Sequence, residues 1–260
     1  MSNGRHDLVA VLDWGLGHAS RSVSLLEDLA ADGREITIAS AGKALLFLRE
    51  HFPNSAFVEL PPYNIRYPHH SMVVNMLRQF PKAASVIRRE HRQLRSIVQK
   101  GGISRIISDG RFGCWHPEVE SIWVAHQLQI QHASKGLAKL ANTAYHHYIR
   151  SRFQEVWIPD QVAEPRLAGC LSEPIAGLRH HYLGPQSRFR NDRGRIETRR
   201  YTYLALLSGP EPQRTKLEAI LRAQLAVLDS PSLLVRGVPG ETEIRQGPNQ
   251  LYEVDCLLGD

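Results

Sequence analysis

Cysteine is scarce in this 260-residue chain: Cys114, Cys170 and Cys256 are far apart and odd in number. No CxxC pair occurs. That excludes a disulfide framework and a cysteine zinc site, and it fits a reducing, cytoplasmic setting. Long apolar runs are also missing. The stretch Leu8–Leu12 is too short for a secretory h-region, and nothing approaches the ~20 residues of a membrane span. Metal-ligand spacing is absent too. His69-His70, His146-His147 and His180-His181 are adjacent pairs, and adjacent side chains diverge on a helix or strand. We expect no metal and no cofactor. There is no GxSxG elbow, no GxGxxG and no P-loop Lys-Ser/Thr. No carboxylate pair for glycoside hydrolysis can be picked out by spacing, and no internal repeat occurs.

What is there is ordinary globular material, 42% hydrophobic and 22% charged. At about 100–200 residues per domain, the length suits one large domain or two modest ones. Lys and Arg number 32 against 26 Asp and Glu, a net +6. The excess is local. Between 78 and 105 lie Arg78, Lys82, Arg88, Arg89, Arg92, Arg95, Lys100 and Arg105, with Glu90 as the one acid. This argues for a basic face on one element and against a nucleic-acid binder.

The chain alternates strand and helix. Strands are expected at Leu8–Leu12, Glu35–Ser40, Ala56–Leu60, Ile103–Ser108, Ile122–Ala125 and Glu155–Ile158. Helices are expected at Ala19–Ala31 (with Gly33 as its C-cap), Lys43–His51, Ser71–Lys100 (kinked near Pro81) and Gly136–Phe153. The long helix carries an apolar stripe of Val73, Leu77, Phe80, Ala84, Ile87, Leu94 and Val98. Short apolar strands between helices predict a parallel sheet covered on both faces. Residues 185–200 are polar and Arg-rich, a linker. A second α/β unit then begins: strand Tyr201–Leu207, helix Gln213–Leu228, strands Leu233–Arg236 and Leu251–Val254. The expected domains are therefore 1–184 and 201–260.

Four constellations carry candidate chemistry. Asp13-Trp14-Gly15-Leu16-Gly17-His18-Ala19-Ser20-Arg21 delivers a strand through a glycine loop into a helix. Gly15 and Gly17 allow close backbone approach, and a helix N-terminus suits a phosphate or oxyanion. His18 is a candidate base or hydroxyl contact, with Arg21 three residues on. A glycine turn with a helix-capping His is the plain alternative. Asp109 and Arg111 follow the strand at Ile103–Ser108. Asp109 lies where open α/β sheets bind ligands, to orient His18 or hold a hydroxyl, or simply to make an Asx turn. His126 and Gln127 end the next strand, as ligand contacts or structural side chains. Ser208, Gly209 and Glu211 occupy the matching turn of the second unit, where amides could face a pyrophosphate or merely start a helix.

The stretch Leu12 to Arg21 resembles the N-terminal signature of GT-B glycosyltransferases. It is similar to the bacterial enzymes related to the N-acetylglucosaminyltransferase of peptidoglycan-precursor synthesis. Leu60-Pro61-Pro62-Tyr63-Asn64-Ile65, Ile107 to Gly113, Ala125 to Leu128, Tyr182 to Pro185 and Leu207 to Pro212 extend that resemblance over nearly the whole chain. It implies two Rossmann-like domains, with the acceptor on the first and a nucleotide-sugar, commonly UDP-linked, on the second. It implies metal-independent, inverting transfer of the sugar to an acceptor hydroxyl. His18 and Asp109 would be catalytic. Gly15, Gly17, Arg21, Arg111, His126 and Gln127 would bind substrate, and Ser208, Gly209 and Glu211 the donor. Family members reach lipid-linked acceptors at the inner membrane, so the basic helix would meet anionic headgroups, or else be a solvated face.

The family's later donor motif, a Gly/Ser-rich turn followed by a ribose-holding acid, has no counterpart before Asp260. Gly237–Gly240 and Gly247–Pro248 come too early. We therefore expect the second domain to be incomplete, the chain truncated. Two other readings stand beside the transferase: a binding-only fragment lacking the donor half, and a nucleotide-sugar epimerase of the same fold. A Rossmann oxidoreductase is disfavoured, because no acid ends the strand Glu35–Ser40.

Overall fold

The computed structural model describes residues 5–64, 72–132, 134–190, 200–209, 211–238 and 241–255, without the side chains of 72–78. His69, His70, Pro210, Cys256, most of the expected linker (191–199) and the side chains of Val73, Leu77 and Arg78 lie outside the described residues. The chain divides into two compact units, the first ending near Asp192.

The first unit runs β1 (His6–Val11), α1 (Gly17–Ala31), β2 (Glu35–Ser40), α2 (Gly42–His51), β3 (Ala56–Glu59), α3 (Met72–Gln99), β4 (Arg105–Asp109), β5 (Glu120–Val124), α4 (Lys135–Arg150), β6 (Glu155–Ile158), a 3-10 turn (Gly169–Ser172) and β7 (Arg179–Tyr182). The seven strands form one sheet, ordered β3-β2-β1-β4-β5-β6-β7. Every pair is parallel. The first strand is thus an interior one, and the chain builds outward from it in both directions. Side chains of β1 explain why its apolar run is unbroken. Val9 and Val11 join Ala19, Leu26 and Leu48 on one face; Leu8 and Ala10 join Leu94 and Ile106 on the other. With both faces dry, alternation would strand polar groups in the core.

The helices mostly match their patterns. α1 ends at Asp32 as C-cap, with Gly33 one place further on in the left-handed region at φ +70°. α3 runs through Pro81. Among its described side chains Val86, Glu90 and Leu94 are buried, while Lys82, Arg88, Arg89, Arg92 and Arg95 face out. Phe80, assigned above to the apolar stripe, is 71% exposed. It lies six residues before Val86, about 9 Å back along the helix axis, ahead of the buried stretch. β7 was not foreseen. Its sequence Arg-His-His-Tyr has no apolar run, because it is an edge strand with mostly exposed side chains.

The second unit has β8 (Tyr203–Leu206), α5 (Gln213–Leu225), β9 (Ser232–Val235), β10 (Arg245–Gln246) and β11 (Leu251–Val254). Its sheet is ordered β10-β11-β9-β8, with β10 antiparallel to β11 and the rest parallel. Its own core gathers Leu207, Leu225, Leu234 and Leu251. The segment Gly247–Gln250 turns β10 back into β11, with Asn249 at φ 52° and Gln250 at φ 60°. β10 escaped the sequence reading because two residues hold no periodicity.

Candidate functional site

In a sheet of this order, the loops leaving the carboxyl ends of β1 and β4 run in opposite directions. The crevice they leave is where open α/β sheets take ligands. Both loops carry the residues singled out above. After β1, Gly15 sits at φ +72°, a conformation that costs other L-residues about 1–2 kcal/mol. Helix α1 opens at Gly17, with Leu16 as N-cap and no side-chain cap. The amide of Ser20 bonds to the carbonyl of Leu16 at 2.8 Å. The amides before it point out of the helix with the positive end of its dipole.

Asp109 is the last residue of β4 and is 1% exposed. Its carboxylate faces three residues of α1. Arg21 grips it through Nε at 3.1 Å and through Nη2, a bidentate fork. The hydroxyl of Ser22 donates to Oδ2 at 3.1 Å. His18 Nδ1 lies 3.1 Å from Oδ1. Burial opposes the charge on Asp109 more than any single neighbour favours it. Together, however, the charges and hydrogen bonds of Arg21 and His18 outweigh it and hold the carboxyl well below its ordinary range. Arg21 also reaches two imidazoles: Nη2 lies 2.8 Å from His18 Nδ1, and Nη1 lies 2.5 Å from His126 Nδ1. His126 follows β5. Burial, then the charges of Arg21 and His18, push its imidazole down toward the neutral form.

The structure therefore brings together His18 and Arg21 from the start of α1, Asp109 from the end of β4 and His126 from the loop after β5. Gln127 is exposed beside His126. Ser22 was missed; the sequence offers no sign of it beyond its place after Arg21. Arg111 sits elsewhere than a ligand contact would, and that expectation is corrected. It is fully buried, bonded through Nη1 to Glu90 at 2.6 Å, through Nη2 to Asp13 at 3.0 Å, and through Nε to the carbonyl of Val11 at 2.8 Å. A guanidinium so enclosed is a strut between β1, α3 and the loop after β4. Glu90 also accepts from the hydroxyl of Tyr63 at 3.1 Å and the amide of Gly113 at 2.9 Å. The one acid of the basic segment is thus the counter-ion of the buried Arg111, a pairing its isolation hinted at.

In the second unit, Ser208 and Gly209 are exposed in the turn after β8, with Gly209 at φ +121°. Glu211 is engaged with α5 itself. It accepts from Thr215 Oγ1 at 2.7 Å and Arg214 Nε at 2.7 Å, and these bonds hold its carboxyl below the usual value. That is the work of a helix-starting acid. Among the described residues no group of three or more His, Cys, Asp or Glu side chains could hold a metal ion, and no helix is long and apolar enough to cross a membrane.

No protein-family model matches the chain, and no curated protein matches it. Solved structures do. The glycosyltransferase of kitacinnamycin superposes with a TM-score of 0.60 at 15% identity, covering 98% of this chain and 72% of that one. SnogD, a glycosyltransferase from Streptomyces nogalater, gives 0.59 at 14% identity over 98% and 73%. VinC, a glycosyltransferase solved in complex with dTDP, gives 0.50 at 12% identity over 97% and 72%. The chain shares the GT-B fold of these proteins.

Proposed function

We propose that this GT-B chain is a glycosyltransferase that moves a sugar from a nucleoside-diphosphate donor to an acceptor hydroxyl, with inversion and without a metal. The observation that carries the reading is the placement of His18, at the start of α1, within 3.1 Å of a buried, ionised Asp109 at the carboxyl end of β4. It lies beside a helix N-terminus without a side-chain cap. The acceptor oxygen forms a bond to the anomeric carbon as the bond from that carbon to the diphosphate breaks. The diphosphate leaves with the electron pair, and the hydroxyl proton passes to His18. Amides of a helix N-terminus are suited to the negative charge that grows on the leaving group. Gly15 and Gly17 would let the ligand approach the backbone, and Gln127 would contact a substrate hydroxyl. Ser208 and Gly209 of the second unit would meet the donor.

UDP is the nucleotide the sequence resemblance favours. A solved glycosyltransferase of this fold holds dTDP, so a screen must contain both UDP- and dTDP-sugars. Consumption of one donor is the expected result. The variant His18→Ala should lower kcat by about 10²- to 10⁴-fold, the usual worth of a positioned proton acceptor. If no donor is consumed, or His18→Ala turns over like wild type, the transferase reading is wrong. Tight nucleotide binding without turnover would favour a binding-only protein, and interconversion of free nucleotide-sugars an epimerase.

The acceptor side includes the basic face of α3. Arg88, Arg89, Arg92 and Arg95 are exposed and form no ion pair among the described residues. Against anionic headgroups each would contribute about 1 kcal/mol, which suits peripheral attachment and a lipid-linked acceptor. The protein should co-sediment with vesicles containing anionic lipid and not with neutral ones. Substituting all four arginines by Ser should abolish the difference, and equal partitioning of wild type would refute the attachment.

A further inference from the structure

The contacts of Arg21 bear on a question the His18–Asp109 pair leaves open, namely which ring nitrogen of His18 carries the proton. A guanidinium has five N–H donors, no acceptor, and keeps its charge. A neutral imidazole has one N–H and one lone pair. Any ring nitrogen that faces the guanidinium must therefore present the lone pair. His126 Nδ1, 2.5 Å from Arg21 Nη1, bonds to no carboxylate among the described residues. Its proton belongs on Nε2.

His18 Nδ1 has two neighbours with opposite demands. Arg21 Nη2 at 2.8 Å needs its lone pair; Asp109 Oδ1 at 3.1 Å needs its proton. One nitrogen cannot serve both. Asp109 is already supplied without His18: Oδ1 takes Arg21 Nη2, and Oδ2 takes Arg21 Nε and the Ser22 hydroxyl. Its charge is balanced by the same guanidinium. The shorter contact belongs to Arg21, which can only donate.

We infer that Arg21 is a positioning residue whose guanidinium holds His18 and His126 together as Nε2–H tautomers, so that the resting site offers N–H donors and not a base. For His18 to accept a proton at Nε2, the ring must first change tautomer: Nε2 gives its proton to solvent and Nδ1 takes one from solvent, facing Asp109. That requires Arg21 Nη2 to leave Nδ1. Arg21 thus decides whether His18 gives a hydrogen bond to a ligand oxygen or receives a proton from it. The proposal rests on the reading of His18 as the group that meets substrate, and it adds the side chain that controls its role. Nothing in the motif between Asp13 and Arg21 shows this, because spacing reports only that Arg21 and His18 share a helix face.

The test is a long-range proton–nitrogen NMR spectrum of ¹⁵N-histidine-labelled protein, free of substrate, at a pH where both rings are neutral. The His18 and His126 signals are assigned by their disappearance in His18→Gln and His126→Gln. The expected wild-type spectrum shows, for both rings, an unprotonated Nδ1 and a protonated Nε2. In Arg21→Ala, His18 should turn to a protonated Nδ1 that donates to Asp109, and His126 should lose its preference. A protonated Nδ1 on His18 in wild type overturns the inference, as does an unchanged spectrum in Arg21→Ala. If Arg21→Ala does not fold, the wild-type spectrum decides alone. No turnover enters the measurement, so it stands or falls apart from the donor screen.

Discussion

At the scale of single residues, the first unit distributes its buried charges by task. Asp7, near the start of β1, is held by Arg34 and Arg105. Glu90 is held by Arg111 beneath the loops. Asp109, at the carboxyl end of β4, is held by Arg21, which also reaches two imidazoles. Its lowered pKa has a consequence for stability. The unfolded carboxyl titrates near 3.9, and the native one lower still. The stabilising contribution is therefore complete above about 3.9 and is lost as pH falls through the native value. Urea titrations of wild type at pH 7 and pH 3 should show a marked acid loss. Asp109→Asn should be less stable at pH 7 and should lose less on acidification. Equal losses in the two proteins would show that Asp109 is not held as described. Of the chemistry at this scale, His18 was legible from the glycine loop that opens α1, and Asp109 from its place at the end of an apolar strand. Arg111 was misjudged for the same reason: its place beside Asp109 is explicit, while its burial under Tyr63 and Glu90 depends on residues far away along the chain.

At the scale of elements, the order and type of strands and helices followed from runs and spacing. β2, β6 and β11 fall on the residues expected of them, since each is an apolar or β-branched run flanked by turns. Polar β7 and short β10 did not, because pairing with a neighbour rather than their own pattern makes them strands. How α3 seats against the loop after β4 depends on one glycine. A Cβ at Gly113 would lie 2.5 Å from the carbonyl oxygen of Ile87 and 2.7 Å from Glu90 Oε2. The backbone of α3 cannot yield that much, so Gly113→Ala should cost about 1–3 kcal/mol, as overpacked cores do. Thermal or urea melting measures it. A variant as stable as wild type would mean that the helix lies further from the loop.

At the scale of the whole molecule, each of the two units has its own sheet and its own core, so damage to one need not spread. Gly237 offers a clean way to see this. It lies at φ +65°, and a Cβ there would stand 2.0 Å from the carbonyl oxygen of Leu207. In Gly237→Ala, amide hydrogen exchange should quicken in β8, α5, β9 and β11 and stay at wild-type rates in β1, β4 and β5. Loss of protection in both units alike would show that they unfold as one. Sequence alone determined the alternating α/β plan, the glycine loop before α1 and the location of the basic face, since each is a local matter of period, turn chemistry or charge. Tertiary structure decided which of those residues meet. It set the strand order that makes β1 and β4 neighbours, put Arg111 into the interior, and gave Arg21 a carboxylate and two imidazoles at once. The contacts of Arg21 with Asp109 and His126 join positions 88 and 105 residues apart, and no local pattern encodes a pairing that only the assembly of the sheet creates.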